Sequence, residues 1–222
     1  MREKGNLNGL QQAWMEGLVC LHPTDTIPGL SFRPDSNLAW SRLRELKGRS
    51  AEQTCIALVP DLTVALRYWQ ELPAGWQEVL TKLWPAPLSV IWQSNELCPK
   101  FLQRDDGSLG LRVPRFHVDD CWMIELLKLI DQPFPTTSVN RKGEAAASHW
   151  GAAKAWLQSN GSDVAIPSWV REKTHHEPVE AKPSTLLKIL GDIDEPKPYQ
   201  MIREGSLSLV EIESTMEKVR HG

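Results

Sequence analysis

The chain has 222 residues, 41% of them hydrophobic and 24% charged, with a formal net charge of −3. That length buries a sizeable core within one domain, and that charge excludes a protein that coats nucleic acid with a wholly basic surface, while leaving room for a local basic patch. The N-terminal MREKGNLNGL lacks the apolar stretch of a secretory signal, no apolar run is long enough to span a bilayer, and Cys20, Cys55, Cys98 and Cys121 show no CxxC or Cys/His ligand spacing. The expectation is a cytoplasmic protein with neither membrane contact, disulfide framework nor bound structural metal.

Gly17 to Leu21 is a short apolar run ahead of His22-Pro23 and reads as a buried strand. Asp35-Ser36 offers an N-cap, and Ala39, Leu43 and Leu46 recur at helical spacing, which places Lys47 and Arg49 at a helix C-terminus. Thr54 to Val59 reads as a second strand. Asp61 caps a helix with the face Leu62, Ala65, Leu66 and Trp69, and Pro73 opens another with Trp76, Val79, Leu80 and Leu83 on one side.

Trp84-Pro85-Ala86-Pro87 breaks the pattern. Leu88 to Trp92 and Ser108 to Val113 then read as strands, and Val118 to Ile130 as a helix with Met123, Leu126, Leu127 and Ile130 inward. Pro135 to Val139 is a short strand entering a polar loop, Trp150 to Leu157 is helical and Val164 to Ile166 extended. Residues 168 to 182 read as a polar loop, in which His175-His176 are solvated rather than metal-bound. Leu186 to Leu190 and Tyr199 to Arg203 are strand candidates, and Ser208 with Glu211 forms a capping box before a terminal helix. Ten Trp beside two Tyr, many at helical spacing, read as core packing rather than as base-stacking platforms.

Alternating strands and helices make the chain α/β (α+β). Connections too short for a helical crossover make its sheet mixed. One domain is expected over 1–222, with its core over about 10–206 and a C-terminal helix over 208–220.

Several small polar and basic islands interrupt this pattern. Thr24, Asp25 and Thr26 follow a buried strand and precede a turn at Pro28-Gly29; they suit either a plain turn or a small polar ligand held by directed hydrogen bonds. Lys47 and Arg49 flank Gly48, which reads as a helix C-cap or as a cationic clamp for phosphates. Arg112 points away from the face shared by Leu111 and Val113, so it requires either a salt bridge or a ligand anion. Ser138 and Asn140 share one side where a strand meets a loop, suiting turn chemistry or a nucleotide; Arg141 and Lys142 read as solvated. Ser184 after Pro183, and Arg203 before Glu204-Gly205, are weak signals singly.

Taken in order, PTDTIPGL, KGRS, WPAP, LRVP, TTSVN, PST and IREG resemble the signature of the YrdC-like family from about Gly17 to Ser206. The resemblance implies a YrdC/RibB-like, strongly twisted mixed sheet with flanking helices and a concave basic cavity. It implies a nucleotidyltransferase that turns L-threonine, bicarbonate and ATP into threonylcarbamoyl-AMP and pyrophosphate, with Mg²⁺, for the threonylcarbamoyladenosine modification of tRNA. By position, Lys47, Arg49, Ser138 and Asn140 match the family's tetrad, Thr26 and Ser184 its threonine contacts, and Ser108, Arg112 and Arg203 positions that hold ATP, together with Arg49, Ser138 and Asn140. Hand-off of the product to a tRNA-modifying transferase complex follows from the same resemblance. Pro28 stands where the family has Tyr, Ser50 where it has Pro and Ala86 where it has Gly. A non-catalytic relative that binds RNA or a nucleotide through the same cavity is the competing reading.

Overall fold

The computed structural model describes residues 4–48, 55–116, 122–161, 163–166 and 182–222. The strands are β1 (Cys20–His22), β2 (Gly29–Ser31), β3 (Ile56–Leu58), β4 (Leu88–Gln93), β5 (Ser108–Arg112), β6 (Phe134–Ser138), β7 (Thr185–Ile189) and β8 (Tyr199–Arg203). The helices are α1 (Lys4–Met15), α2 (Asn37–Lys47), α3 (Leu62–Leu66), α4 (Trp76–Leu83), α5 (Trp122–Ile130), α6 (Trp150–Asn160) and α7 (Leu209–His221).

The strands form one sheet in the order β1-β2-β6-β3-β5-β4-β7-β8. The pairs β3–β5 and β4–β7 are parallel and the others antiparallel, so the sheet is mixed as the short connections require. Side-chain alternation gives it two different faces. Leu109 and Leu111 of β5 and Leu187 of β7 pack into the larger core with Leu43 and Leu46 of α2, Leu80 of α4, Leu157 of α6 and Ile212 of α7. On the opposite face, Leu58 of β3 and Phe134 of β6 pack with Leu10 and Trp14 of α1 and with Met123, Leu126 and Leu127 of α5. Each large apolar side chain so buried contributes about 1.5–3 kcal/mol relative to exposure. This smaller core covers only one end of its face. Two residues further along the same strands, Ile56 and Thr136 line an open cavity instead.

Local signals explain most elements. Ser36 Oγ accepts the Ala39 N–H and starts α2; Gly48, at φ 58°, ends it in the left-handed region where a Cβ is disfavoured. The chain therefore turns immediately after Lys47. Asp61 caps α3 through the Val64 N–H, and Ser208 caps α7 through the Glu211 N–H. α3 stops at Leu66, before Trp69; the Trp69 indole instead donates to the Leu109 carbonyl at 2.9 Å.

Besides α3, several elements differ from the sequence expectation; α4, for one, begins at Trp76 rather than at Pro73. The run from Gly17 pairs only from Cys20, because Gly17 adopts φ 81° and turns the chain out of α1. β2 lies inside the first polar island. Val164 to Ile166, expected to be extended, pairs through one parallel bridge, Ala165 to Cys20. α1 carries few apolar residues and was not expected as a helix; Leu10 and Trp14, one turn apart, anchor it. Arg49, Cys121, His175 and His176 lie outside the described residues.

Candidate active site

The cavity has a volume of about 510 Å³ and sits on the sheet face that α1 and α5 leave uncovered. The β1–β2 loop supplies Thr24, Thr26 and Pro28; β5 supplies Arg112; β6 supplies Thr136 and Ser138; the segments around β7 and β8 supply Ser184 and Arg203. The islands of the sequence thus converge although more than a hundred residues separate some of them.

The β1–β2 loop is held by its own hydroxyls. Thr24 Oγ1 donates to the Ile27 carbonyl at 2.7 Å and accepts the Thr26 N–H at 3.0 Å. This holds Thr26 Oγ1 where Arg112 Nη1 donates to it at 3.2 Å. Arg112 Nη2 lies 3.2 Å from Asp25 Oδ1, with both side chains only 3% exposed. Asp25 Oδ2 in turn accepts the Arg115 N–H at 2.9 Å. Of the two alternatives its position in the strand offered, Arg112 therefore has the salt bridge, to a buried carboxylate, and it also lines the cavity. Its Nε remains buried without a hydrogen bond.

Lys47, Ser138 and Asn140 form a second cluster. Lys47, which is 1% exposed, donates from Nζ to the Ser138 carbonyl and, at 2.7 Å, to Asn140 Oδ1. Ser138 Oγ donates to the same Asn140 oxygen at 2.6 Å, and Asn140 Nδ2 donates to the Glu144 carbonyl at 2.8 Å. The β2–β6 pairing, Gly29 opposite Ser138, brings this cluster alongside the β1–β2 loop.

Ser184 and Arg203 form the third wall. Arg203 donates from Nη2 and Nε to the Ser184 carbonyl at 2.9 and 3.2 Å, and Ser184 Oγ lies 2.9 Å from Ser89 Oγ. Burial, and then the charge of Arg112, hold the Arg203 guanidinium below its usual pKa. The two cations share one field, which an entering anion relieves.

Ser108 is placed differently from the other candidates. It is buried, its Oγ donates to Asp106 Oδ1 at 2.5 Å, and it is not among the residues lining the cavity. Asp106 is also paired with Lys188, and these two hydrogen bonds hold its carboxyl well below the usual range.

Two residues near the cavity carried no sequence signal. Arg104 lines it from the turn before β5. His22, fully buried, lies between the smaller core and the cavity: its ring meets Phe134 edge-on at 5.0 Å and its Nε2 lies 3.0 Å from Thr136 Oγ1.

The chain belongs to the Sua5/YciO/YrdC family, whose model, described as "Telomere recombination", matches residues 12–205. A threonylcarbamoyl-AMP synthase of Pyrococcus abyssi is 22% identical over 191 residues, covering 80% of this chain and 55% of that protein. The chain spans about half the length of the first curated relatives it matches. Among solved structures, P. abyssi Sua5 complexed with L-threonine superposes with a TM-score of 0.78 at 22% identity, covering 96% of this chain and 58% of that one. Escherichia coli YciO superposes with a TM-score of 0.72 at 16% identity, covering 95% and 94%. The mixed sheet with flanking helices is thus the fold of this family.

No helix among the described residues is long and apolar enough to cross a membrane. Among the described residues no three His, Cys, Asp or Glu side chains group to hold a metal ion, and no carboxylate lines the cavity. The described residues therefore do not fit a protein-held Mg²⁺.

Proposed function

We propose that the cavity binds ATP and L-threonine and forms threonylcarbamoyl-AMP and pyrophosphate, the product then passing to a tRNA-modifying transferase complex. The observation that carries this reading is the convergence of Thr26, Arg112, Ser184 and Arg203 in one cavity whose wall continues through Ser138 to Lys47 and Asn140. The names of the curated relatives, threonylcarbamoyl-AMP synthases, support it.

In this reading the threonine amine attacks the carbon of bicarbonate, or of carbon dioxide derived from it, and loses a proton; the net result is a carbamate and water. A carbamate oxygen attacks the α-phosphorus of ATP, the bond from that phosphorus to the bridging oxygen breaks, and pyrophosphate leaves with the electron pair. No side chain acts as nucleophile. Two anions must approach each other while charge grows on the leaving group, and fixed cations offset that repulsion. Thr26 and Ser184 hold the amino acid. Arg112, Arg203, Ser138 and Asn140 hold the nucleotide, with Lys47 positioning the last two; Arg49 joins them by its place in the motif. Ser108 contacts ATP only if the nucleotide extends beyond the lining residues toward Asp106. Pro28 lines the cavity where the family signature has Tyr, so the amino-acid pocket has a different wall here.

The test is pyrophosphate release from ATP with Mg²⁺ and bicarbonate, with and without L-threonine. Threonine-dependent release supports the synthase. ATP binding without release, at any threonine concentration, replaces it with a binding-only role for nucleotide or RNA.

A further inference from the structure

We propose that Arg104 forms a second anion subsite in the cavity, distinct from the Arg112–Arg203 wall, and that it takes the β- and γ-phosphate end of the nucleotide. This rests on the proposed use of ATP. Arg104 stands on the connection between β4 and β5, in a turn closed at both ends: its N–H donates to the Ser108 carbonyl at 2.8 Å and its carbonyl accepts the Gly107 N–H at 2.9 Å. The backbone is thereby fixed while the side chain forms part of the cavity wall.

That side chain makes no hydrogen bond and no ion pair among the described residues, and its Nε is buried without a partner. Asp106, the carboxylate whose charge acts on Arg104, is occupied by Lys188 and Ser108. A guanidinium keeps its charge at any physiological pH, and leaving a buried N–H of a charged group unpaired is costly. The fork of the guanidinium matches a phosphate, which can accept two of its N–H groups in parallel.

Two observations separate this subsite from the rest of the cavity. The charge of Arg112 acts on Arg203, whereas the groups that act on Arg104 are its own burial, Asp106 and Cys55. The Arg112–Arg203 wall also carries the Thr26 and Ser184 contacts, while Arg104 has no such neighbours among its hydrogen bonds. A triphosphate carries several negative charges along its length, so two cations at separate points along that length suit it better than they suit a ligand with one carboxylate.

Calorimetric titration of the whole chain tests the proposal, with ATP, AMP, tripolyphosphate and L-threonine as separate titrants. Arg104→Gln is expected to weaken ATP and tripolyphosphate at least tenfold and to leave AMP and threonine within twofold. Arg104→Lys, which keeps the charge without the fork, is expected to fall between. Circular dichroism melts of both variants establish that they fold. Unchanged ATP and tripolyphosphate affinity in Arg104→Gln overturns the subsite, and so does a loss that falls equally on AMP or on threonine. A wild-type chain that binds no ATP overturns the functional reading instead; the tripolyphosphate titration still decides whether Arg104 binds polyphosphate.

Discussion

His22 accepts a hydrogen bond from Thr136, and the direction of that bond follows from a third group. His22 Nδ1 lies 3.0 Å from the Pro23 carbonyl, which can only accept, so Nδ1 carries the proton. A neutral ring then leaves Nε2 as an acceptor, and the Thr136 hydroxyl, 3.0 Å away, must donate to it. Thr136 thus turns its lone pairs toward the cavity and offers an acceptor to a ligand N–H or O–H.

The neutrality of His22 has a consequence for acid stability. Burial, and to a smaller extent the charge of Arg112, lower its pKa from 6.5 to about 4, against the opposing bond to Pro23. The unfolded chain therefore binds the proton more tightly. Stability from this group is complete above the unfolded pKa and is lost as pH falls from about 6.5 toward 4. Urea unfolding at pH 5 and pH 7 should show the wild type losing about 2 kcal/mol to this group at the lower pH. His22→Phe should lack that increment, and an equal pH dependence in the two proteins would refute the assignment.

Gly29 is where the His22–Thr136 contact tolerates no side chain. A Cβ there would lie 2.4 Å from Thr136 Oγ1 and 2.6 Å from His22 Nε2, far inside contact distance. Gly29→Ala is expected to cost about 1–3 kcal/mol by overpacking. Thr136→Ala removes one of the clashing atoms, so the double variant should lose less than the sum of the singles in denaturant melts. Strict additivity would place the strain elsewhere.

Asp25 and Arg112 are a buried pair, and removing one partner strands the other. Asp25→Ala is expected to destabilise the fold by about 3–5 kcal/mol, since it leaves an uncompensated buried cation. Asp25→Ala combined with Arg112→Leu should recover part of that loss. A thermal melt of Asp25→Ala indistinguishable from wild type would mean that solvent already screens the pair.

Lys47 positions Ser138 and Asn140 as well as contributing charge. Lys47→Ala should lower threonine-dependent pyrophosphate release at least a hundredfold, about 2.7 kcal/mol of barrier. Lys47→Met, similar in length but without the ammonium, should rescue none of it. Near-normal turnover in either variant would remove Lys47 from the machinery.

Much of this was legible locally. Ser36 and Gly48 bracket α2 by capping chemistry alone, and so place Lys47 at its last turn. The alternation of Leu111, Arg112 and Val113 turned the arginine away from the main core before any partner was known. β1 was legible as a buried apolar run with its start misplaced by three residues, but the three-residue strand β2 was not, since so short a segment inside a turn-forming island carries no period. α1 was not legible either: Leu10 and Trp14 are its buried anchors among the described residues, and the side chains they pack with, Phe134 of β6 and Met123, Leu126 and Leu127 of α5, lie more than a hundred residues away.

The sequence by itself determined the order of the polar islands, the caps and strand periods around them, and through these the family. Each of those signals is written within a few neighbouring residues, where capping, alternation and turn geometry act. Only the tertiary structure decided which islands share a cavity. Arg104 faces into it while Ser108, four residues on, turns to Asp106; Thr136 offers its lone pairs because His22 lies behind it. These outcomes depend on strand register and on contacts between distant segments, which no local pattern encodes.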